Sequence, residues 1–428
     1  MRSRAISIRS TAVLLAACLL FPAPRARGAA PVEPVVRVGL QANVREACVS
    51  CAGPMRVWRR GSGLRGTVLG AGTVLHLRAA SGSPRESGAP GLEVEIERDA
   101  GRREQAGFFR EDLIFEPLSS ARPLAVSGKP YRGEILVRPD GGGVSVVNVV
   151  RIEDYLQSVV ALEMGGSDDL SPSALEAQAI AARSYTLHYL GRREETHGCD
   201  LLDGPEDQVY GGIQAEAPAA SRAVSATRGV IALYDGKPIR ANYCSTCGGR
   251  TEGNKGVWTQ QDALAYLRSI DDRMDGRPLC EASPYCRWEE RWPCEEFEAG
   301  VLARLREEAP AARGADLGRL RDLSIASRTR SGRVAELKIA TDGGTFRVRG
   351  DRIRWVLRRP DGSPLRSTLF DRPEWTGGDG CTVVLKGRGY GHGVGLCQFG
   401  AMEMGRRGAS AAAILRHYYR DVDLARWW

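Results

Sequence analysis

Residues 147–190, VNVVRIEDYLQSVVALEMGGSDDLSPSALEAQAIAARSYTLHYL, decide the fold of this chain. From Ile152 to Met164, apolar side chains recur at three- and four-residue intervals, which is the spacing of one face of an amphipathic helix. Glu163 falls on the same face, so its carboxyl is expected to be desolvated and its pKa to be raised toward neutrality. The alternative is a helix-end glutamate paired with a nearby arginine such as Arg183.

A second helix follows after a polar turn. Glycines at 165 and 166 end the first helix, and the pair Ser171-Pro172 is a typical helix start. Small residues, mostly alanine, fill the run that follows and permit close packing. The sequence therefore predicts a pair of packed helices around residues 152–190, with Glu163 at the end of the first.

The segment before this helix pair is rich in strand signals. Between Val35 and about Asp140, short apolar runs such as GTVLHLRAA and GLEVEIER alternate with clusters of Gly, Pro and Ser. We predict an α+β fold with mixed sheets and packed helices. A small β-rich region at residues 31–125 precedes a larger domain at residues 126–428, which contains an insertion around residues 280–350.

The first thirty residues have the composition of an export signal. Arginines at 2, 4 and 9 precede an apolar run from Ala12 to Phe21, which is too short for a permanent membrane span. Cleavage near residues 26–30 and a lipoprotein-type cut before Cys18 both fit the sequence. We therefore expect an exported protein of the periplasm or cell envelope, with a lipid anchor at Cys18 as its only membrane contact in the lipoprotein alternative.

The charge balance gives no reason to expect a nucleic-acid partner. The 428 residues carry a net charge of +8, but residues 1–30 hold five arginines and no acid, so the chain after Ala30 carries +3. There is no basic stripe with interleaved aromatic residues, which is the usual footprint of nucleic-acid binding. We predict no nucleic-acid partner.

The cysteines favour disulfide bonds and leave zinc as the alternative. Ten of the eleven follow the signal, and an even number in an exported chain indicates disulfides, although the sequence does not fix their pairing. Two C-x-x-C units, beginning at Cys48 and Cys244, would each offer half of a zinc site. They lie too far apart in sequence to form a zinc ribbon.

A second dense stretch, GRGYGHGVGLCQFGAMEMG, occupies residues 387–405. Every second residue from 387 to 395 is glycine, and each glycine costs about 0.5–1 kcal/mol of backbone entropy relative to alanine. We therefore expect this backbone to approach another group closely. His392, at the centre of the stretch, is the best second polar group for a site; the alternative is a buried histidine with satisfied hydrogen bonds.

Five ordered blocks resemble the stage II sporulation protein D and amidase-enhancer family, over roughly residues 131–419. They are IEDYLQSVVALEM at 152–164, ALEAQAIAARSYTL at 174–187, QVYGG at 208–212, GKPIRANYCSTCGGRTE at 236–252 and GRGYGHGVGLCQFGA at 387–401. The resemblance implies a lytic transglycosylase that acts on peptidoglycan glycan strands, often strands stripped of stem peptides. The alternative is a non-catalytic wall-binding protein that enhances an N-acetylmuramoyl-L-alanine amidase, because the family contains members of both kinds.

The resemblance also implies residue roles. The catalytic glutamate of the family lies in a V-x-x-E-M segment, which matches Glu163 here. As an acid it would protonate the oxygen between N-acetylmuramic acid and N-acetylglucosamine. As a carboxylate it would then take the proton of the muramyl C6 hydroxyl, which closes on C1 to give a 1,6-anhydro sugar. The matching positions expected to contact the sugar are Arg183, Gln208, Tyr210, His392 and Gln398.

One acid suffices for this chemistry. A well-aligned intramolecular hydroxyl has an effective molarity of about 10⁵ M or more, whereas an ordinary glycosidase needs two carboxyl groups. Glu153 and Asp154 lie roughly 14–15 Å from Glu163 along the helix, too far for such a pair. Glu176 stays open as an acid that the fold would bring closer.

We predict no cofactor and no metal. Some family members bind zinc through a histidine and cysteines in the loop before Q-x-Y. His197 and Cys199 occupy this loop, but Asp207 stands where a cysteine is often found. A structural zinc site needs four ligands, so these two would have to recruit Asp203, Asp207 or a distant cysteine.

Overall fold

The computed structural model describes residues 32–61, 66–81, 90–98, 101–377 and 380–428. The predicted export signal, its cleavage sites and Cys18 lie outside the described residues. From Glu33 to the C-terminus the chain forms one compact unit. No helix in the described ranges combines the length and the apolar character that crossing a membrane would need.

Thirteen strands of the described N-terminal half build two sheets. They are β1 (Val35–Val44), β2 (Glu46–Cys51), β3 (Met55–Arg59), β4 (Thr67–Leu69), β5 (Val74–Ser81), β6 (Pro90–Glu97), β7 (Arg103–Phe109), β8 (Leu113–Pro117), β9 (Leu124–Val126), β10 (Lys129–Tyr131), β11 (Glu134–Asp140), β12 (Gly143–Arg151) and β13 (Leu201–Leu202). The first sheet has the order β13-β1-β12-β11-β8-β3-β4, and the second has the order β10-β9-β2-β5-β6-β7.

The first sheet joins the β-rich segment to the rest of the chain. β1 pairs with β12 in antiparallel register, with Val36 opposite Val150, so a strand from residues 31–125 lies beside one from residues 126–428. β12 is buried along nearly its whole length, as its run of valines requires. The helix that carries Glu163 begins directly where β12 ends. The position of β12 in this sheet therefore fixes where that helix starts.

Nine helices lie in the described ranges, and α1 follows β12 directly. They are α1 (Ile152–Met164), α2 (Pro172–His188), α3 (Glu194–His197), α4 (Pro218–Ala226), α5 (Asn254–Val257), α6 (Cys294–Glu308), α7 (Arg352–Val356), α8 (Gln398–Arg406) and α9 (Ala411–Tyr418). The predicted helix pair is confirmed as α1 and α2. Alanines at 174, 177, 179, 181 and 182 are all buried in the main core, which allows α2 to contact several helices closely.

The remaining strands form small sheets. They are β14 (Val230–Tyr234), β15 (Lys237–Pro238), β16 (Tyr243–Cys244), β17 (Arg273–Met274), β18 (Arg277–Pro278), β19 (Trp288–Pro293), β20 (Leu320–Arg328), β21 (Val334–Thr341), β22 (Gly344–Arg349), β23 (Glu374–Thr376), β24 (Thr382–Gly387), β25 (Leu396–Cys397) and β26 (Asp423–Arg426). The most important for the site is the parallel pair β16 and β25, which sets Tyr243 opposite Leu396. The predicted α+β class with mixed sheets is confirmed.

Residues 288–385 have a hydrophobic core of their own. It contains Trp288, Phe297, Leu337 and Leu385, and is separate from the main core around α1 and α2. The segment for which an insertion was predicted, around residues 280–350, thus belongs to a larger packed region that returns to the main core through β24. Cys294 and Cys381 form a disulfide bond across this region.

Removal of this disulfide should destabilise the protein measurably. The bond joins residues separated by 87 positions, so it restricts the unfolded chain strongly. We expect the Cys294→Ser/Cys381→Ser double variant to lose about 2–4 kcal/mol in free energy of unfolding, measured by guanidinium titration. Cys48→Ser, which removes a half-buried thiol without a disulfide bond, is the control. Equal unfolding midpoints for the two variants would contradict the expectation.

Candidate active site

Glu163 lies in the last turn of α1, two residues before the glycine that ends the helix. Gly165 ends the helix with a φ of +91°, a conformation that favours glycine. The Glu163 side chain is half-buried, and its Oε1 accepts a hydrogen bond of 3.1 Å from the Val209 backbone N–H. Among the described residues, no ion pair involves Glu163, so the alternative of a glutamate paired with Arg183 is not the one observed.

Burial raises the pKa of the Glu163 carboxyl above its ordinary value. The Val209 N–H, the Gln398 amide and the Tyr243 hydroxyl favour the ionised form and oppose this rise, but burial outweighs them. The direction predicted from the position of Glu163 on the apolar face is therefore confirmed. Such a carboxyl holds a proton at a higher pH than an exposed glutamate does, as a general acid requires.

Gln208 holds another residue of the site in place, and its buried side chain offers no surface to a ligand. Its side chain is fully buried; Nε2 donates to Thr186 Oγ1 at 2.9 Å, and Oε1 accepts from the Tyr243 hydroxyl at 3.1 Å. These bonds hold Tyr243 in place next to Glu163. The assignment of Gln208 as a sugar contact is therefore corrected to a positioning role.

Tyr210 is likewise a support. Its hydroxyl donates to Asn148 Oδ1 at 2.8 Å, and its ring packs 4.9 Å from the ring of Tyr155 on α1. Because Asn148 belongs to β12, this contact ties the Val209 loop to the sheet from which α1 starts. The side chain is buried, with 5% exposed, so its assignment as a sugar contact is corrected in the same way.

Arg183 belongs to a different place in the core. Its guanidinium is fully buried and makes two hydrogen bonds to Glu153, at 3.1 and 2.7 Å, and a third to the Val230 carbonyl at 2.9 Å. With no surface exposed, it is unavailable to a sugar chain. The expected substrate contact at Arg183 is therefore corrected to a buried ion pair that joins α2 to the start of α1.

Gln398 is the predicted contact that keeps a free polar group beside Glu163. It begins α8, with 5% of its surface exposed, and its amide adjoins the Glu163 carboxyl. Among the described residues, its Nε2 has no partner at hydrogen-bond distance. A donor without a partner beside the acid is what an acetamido or hydroxyl oxygen of a bound sugar would need, so a substrate contact at Gln398 stays a prediction.

His392 shares no direct contact with Glu163. Its Nδ1 accepts from the Val394 N–H at 2.9 Å, and its ring lies 5.1 Å from the ring of Trp258. Burial lowers the pKa of His392 to about 4, so near pH 7 the imidazole is neutral, with its proton on Nε2. Trp258 also lines a cavity of about 610 Å³ that reaches Asp351 and does not include Glu163. A sugar contact at His392 stays a prediction.

The glycines of residues 387–395 approach the protein's own backbone. Gly389 has a φ of +81° and Gly395 a φ of +73°, and a Cβ on either would collide with the carbonyls of Thr246 or Asn242. The expected close approach is therefore to the residues on either side of β16. Gln398, which follows β25, and Tyr243 on β16 both adjoin the Glu163 carboxyl.

Tyr243 is the site residue that sequence reasoning missed. It lies within the resembling block at residues 236–252, but nothing in its spacing connects it to Glu163, because a strand pairing between distant segments brings it there. The Val209 N–H was missed as well, because almost every residue has a backbone N–H and the residue type does not show which one is a donor in the site.

The loop before Gln208 does not fit a zinc ion. His197 is exposed and its Nδ1 lies 2.8 Å from Thr196 Oγ1, whereas Cys199 is buried. The Asp207 carboxylate is occupied by Arg193 at 2.7 Å and by the Leu202 N–H. Asp207, which stands where a cysteine is often found, is therefore already used by other groups of the fold.

Removal of the Tyr243 hydroxyl should change the pKa of Glu163. The hydroxyl favours the ionised Glu163, so Tyr243→Phe should raise the pKa of Glu163, and the protonated form should persist to higher pH. We expect a carbon-13 NMR titration of the Glu163 carboxyl to show a midpoint at higher pH in this variant than in the wild type. Tyr185→Phe, a buried neighbour 6.5 Å from Tyr243 by ring centroids, should leave the midpoint in place. A downward shift in Tyr243→Phe would refute this account.

Comparisons with known proteins agree with the five-block resemblance. A family model described as Stage II sporulation protein matches residues 140–234, and a model for a domain of unknown function (DUF8618) matches residues 275–395. Stage II sporulation protein D of Bacillus amyloliquefaciens is 29% identical over 344 residues, which cover 77% of this chain and 87% of that protein. An uncharacterized protein of Brachyspira hyodysenteriae is 28% identical over 322 residues, 75% of this chain and 78% of its own.

A further relative carries a different name. The amidase enhancer of Bacillus subtilis is 26% identical over 335 residues, which cover 72% of this chain but 46% of that longer protein. The family model includes β12, α1 and α2, and therefore Glu163 with the strand that precedes it. The resemblance is thus confirmed: a stage II sporulation protein model matches residues 140–234, and the chain is similar over most of its length to proteins named stage II sporulation protein D and amidase enhancer.

Proposed function

We propose that this protein is a peptidoglycan lytic transglycosylase that cleaves the bond between N-acetylmuramic acid and N-acetylglucosamine, with Glu163 as its single acid and base. The observation that carries the proposal is the state of Glu163. The carboxyl is half-buried, has a raised pKa, and has no cationic partner among the described residues. Its relatives named stage II sporulation protein D support a role in the cell wall.

The chemistry follows from one carboxyl that changes its protonation state. Protonated Glu163 donates its proton to the glycosidic oxygen as the bond from that oxygen to the muramyl C1 breaks. The resulting carboxylate takes the proton of the C6 hydroxyl while that oxygen bonds to C1. Both products are then complete without water, and Glu163 is protonated again for the next cycle.

The neighbours of Glu163 suit both halves of this cycle. The Val209 N–H fixes Oε1, so the second oxygen of the carboxyl is the one directed to the sugar. The same N–H donor stabilises the carboxylate that forms in the middle of the reaction.

The proposal is tested on isolated sacculi or on glycan strands stripped of stem peptides. Purified mature protein should release products that end in 1,6-anhydro-N-acetylmuramic acid, identified by mass spectrometry. Reducing ends without the anhydro ring would indicate a hydrolase and would overturn the transglycosylase assignment. The stripped strands should be cleaved at least as well as whole sacculi if peptide-free glycan is the substrate.

The relative named amidase enhancer supports a second candidate function. In this alternative the chain binds the wall and stimulates an N-acetylmuramoyl-L-alanine amidase without cutting glycan itself. Addition of the chain to a purified amidase would then increase release of stem peptides, and Glu163→Gln would stimulate equally. Release of anhydro products by the chain alone distinguishes the two functions.

Either function requires the protein to reach the wall, and we propose that it is exported. The support is the composition of residues 1–30, with basic residues followed by a short apolar run. Fractionation of cells that express the wild type and Cys18→Ala tests this. Membrane association lost only in Cys18→Ala would indicate a lipoprotein, equal recovery of both in a soluble exported fraction would indicate ordinary cleavage, and retention in the cytoplasm would refute export.

A further inference from the structure

Three cysteines and one aspartate converge in the core behind Tyr243 and Gln398. Each of the four is fully buried, and their sulfur and carboxylate oxygen atoms all lie within 4.8 Å of one another; the residues are Cys247, Asp272, Cys280 and Cys397. The loop after β16, the segments that flank the β17–β18 hairpin and strand β25 each contribute to this cluster.

The spacing matches a tetrahedral zinc ion. Zn–S bonds of about 2.3 Å in a tetrahedron place two sulfurs about 3.8 Å apart. The Cys247 and Cys280 Sγ atoms are 3.8 Å apart, and Asp272 Oδ2 is 3.0 Å from Cys247 Sγ. A disulfide would need a sulfur separation of about 2.05 Å, so these thiols are placed as separate donors around a shared centre.

The chemistry of the four groups also calls for a cation. A fully buried carboxylate among thiols is costly unless a positive charge compensates for it. Three soft sulfur donors with one carboxylate oxygen select zinc over the hard ions magnesium and calcium, which prefer oxygen ligands.

Outer contacts already orient the donors. His417 Nε2 lies 3.0 Å from Asp272 Oδ1, which leaves Oδ2 directed to the sulfurs. The Cys247 N–H donates to Cys397 Sγ at 3.2 Å, and the Gly249 N–H donates to Cys247 Sγ at 3.3 Å. Backbone donors to sulfur and a partner for the second carboxylate oxygen are the supports that metal ligands typically have.

We propose that Cys247, Cys280, Cys397 and Asp272 bind one zinc ion in a closed, structural site. It is distinct from the loop with His197 and Cys199, where the family resemblance would have placed a metal. Zinc displaces the three thiol protons, so the four ligands coordinate as three thiolates and a carboxylate.

The site has a clear structural purpose. Cys397 directly precedes Gln398, and the loop that bears Cys247 begins at the strand that carries Tyr243. Zinc therefore ties together the two segments that carry Gln398 and Tyr243, the neighbours of Glu163. The ion would hold the neighbours of the acid in place and take no part in the reaction.

Metal analysis of the full mature chain tests the proposal. Protein purified without chelators from medium with zinc should retain about one zinc per chain after dialysis. Cobalt in place of zinc should give the intense thiolate-to-metal absorption that identifies sulfur ligands. Cys280→Ser and Cys397→Ser should lose most of the bound metal and this absorption. If either variant fails to fold, titration of the wild type with a mercurial reagent should release zinc only as buried thiols react.

Matched controls distinguish zinc binding at this cluster from zinc binding at other cysteines and from a disulfide bond. Cys244→Ser removes a buried thiol outside the cluster, and Cys199→Ser removes the cysteine of the other loop; both should retain zinc. Cys286 lies beside Cys280 outside the cluster, so peptide mapping without reductant tests for a bond between them. Wild-type protein without zinc, a disulfide at Cys247, Cys280 or Cys397, or zinc lost in Cys199→Ser but kept in Cys280→Ser would each overturn the proposal.

Discussion

Glu163→Gln should lower the release of 1,6-anhydro products by at least about 10²-fold, the lower end of what general acid–base catalysis contributes. Glutamine matches glutamate in shape, and its oxygen can still accept from the Val209 N–H. It cannot donate a proton to the glycosidic oxygen or accept one from the C6 hydroxyl. The expected loss therefore lies in kcat, while binding to glycan strands changes little. Mass spectrometry of digested sacculi, with binding measured separately by co-sedimentation, gives both quantities.

Two further variants sharpen this experiment. Glu195→Gln changes an exposed carboxylate on α3 and should retain full activity. Glu176→Gln changes a half-buried acid on α2, the one that sequence reasoning left open as a second acid. Full activity in Glu176→Gln supports the single-acid mechanism, whereas a loss as large as that of Glu163→Gln would require two carboxyl groups. Undiminished anhydro products from Glu163→Gln would exclude Glu163 as the acid and favour the enhancer function.

The position of Glu163 could be predicted from sequence because it depends on one helix. Helical spacing placed the carboxyl on the apolar face of α1, and the burial of that face raises its pKa as expected. The neighbours of Glu163 depend on the pairing of β16 with β25, which joins segments about 150 residues apart and leaves no periodic signal.

The role of buried polar residues was harder to predict, because the same residue types serve sites and cores. Gln208, Tyr210 and Arg183 lie in segments that resemble the family, which made them candidates for sugar contacts. In the structure their hydrogen bonds end on other buried groups: Thr186, Asn148 and Glu153 respectively. Sequence shows that a polar residue is present, but its burial and its partners are properties of the tertiary fold.

Arg183→Met should lower the free energy of unfolding by about 3–5 kcal/mol, because it leaves the buried Glu153 carboxylate without its cation. Methionine keeps much of the arginine stem but makes none of its hydrogen bonds. Among the described residues, the Glu153 carboxylate would keep only the Gly229 N–H at 2.9 Å and the Trp428 indole N–H at 3.1 Å as donors. Those neutral donors do not compensate a full charge that has almost no access to water.

A double-mutant cycle distinguishes this cause from a simple loss of packing. If the uncompensated charge dominates, Arg183→Met/Glu153→Gln should be more stable than Arg183→Met alone, since the second change removes the charge. Arg304→Met breaks an exposed pair with Glu307 on α6 and should cost no more than about 1 kcal/mol. A double variant as unstable as the sum of the two single ones would show that the charge is not the cause. Because this pair joins α2 to the start of α1, its loss should also reduce glycan cleavage through partial unfolding. Glu163→Gln should reduce cleavage without lowering the unfolding midpoint, because it removes a charge that burial disfavours.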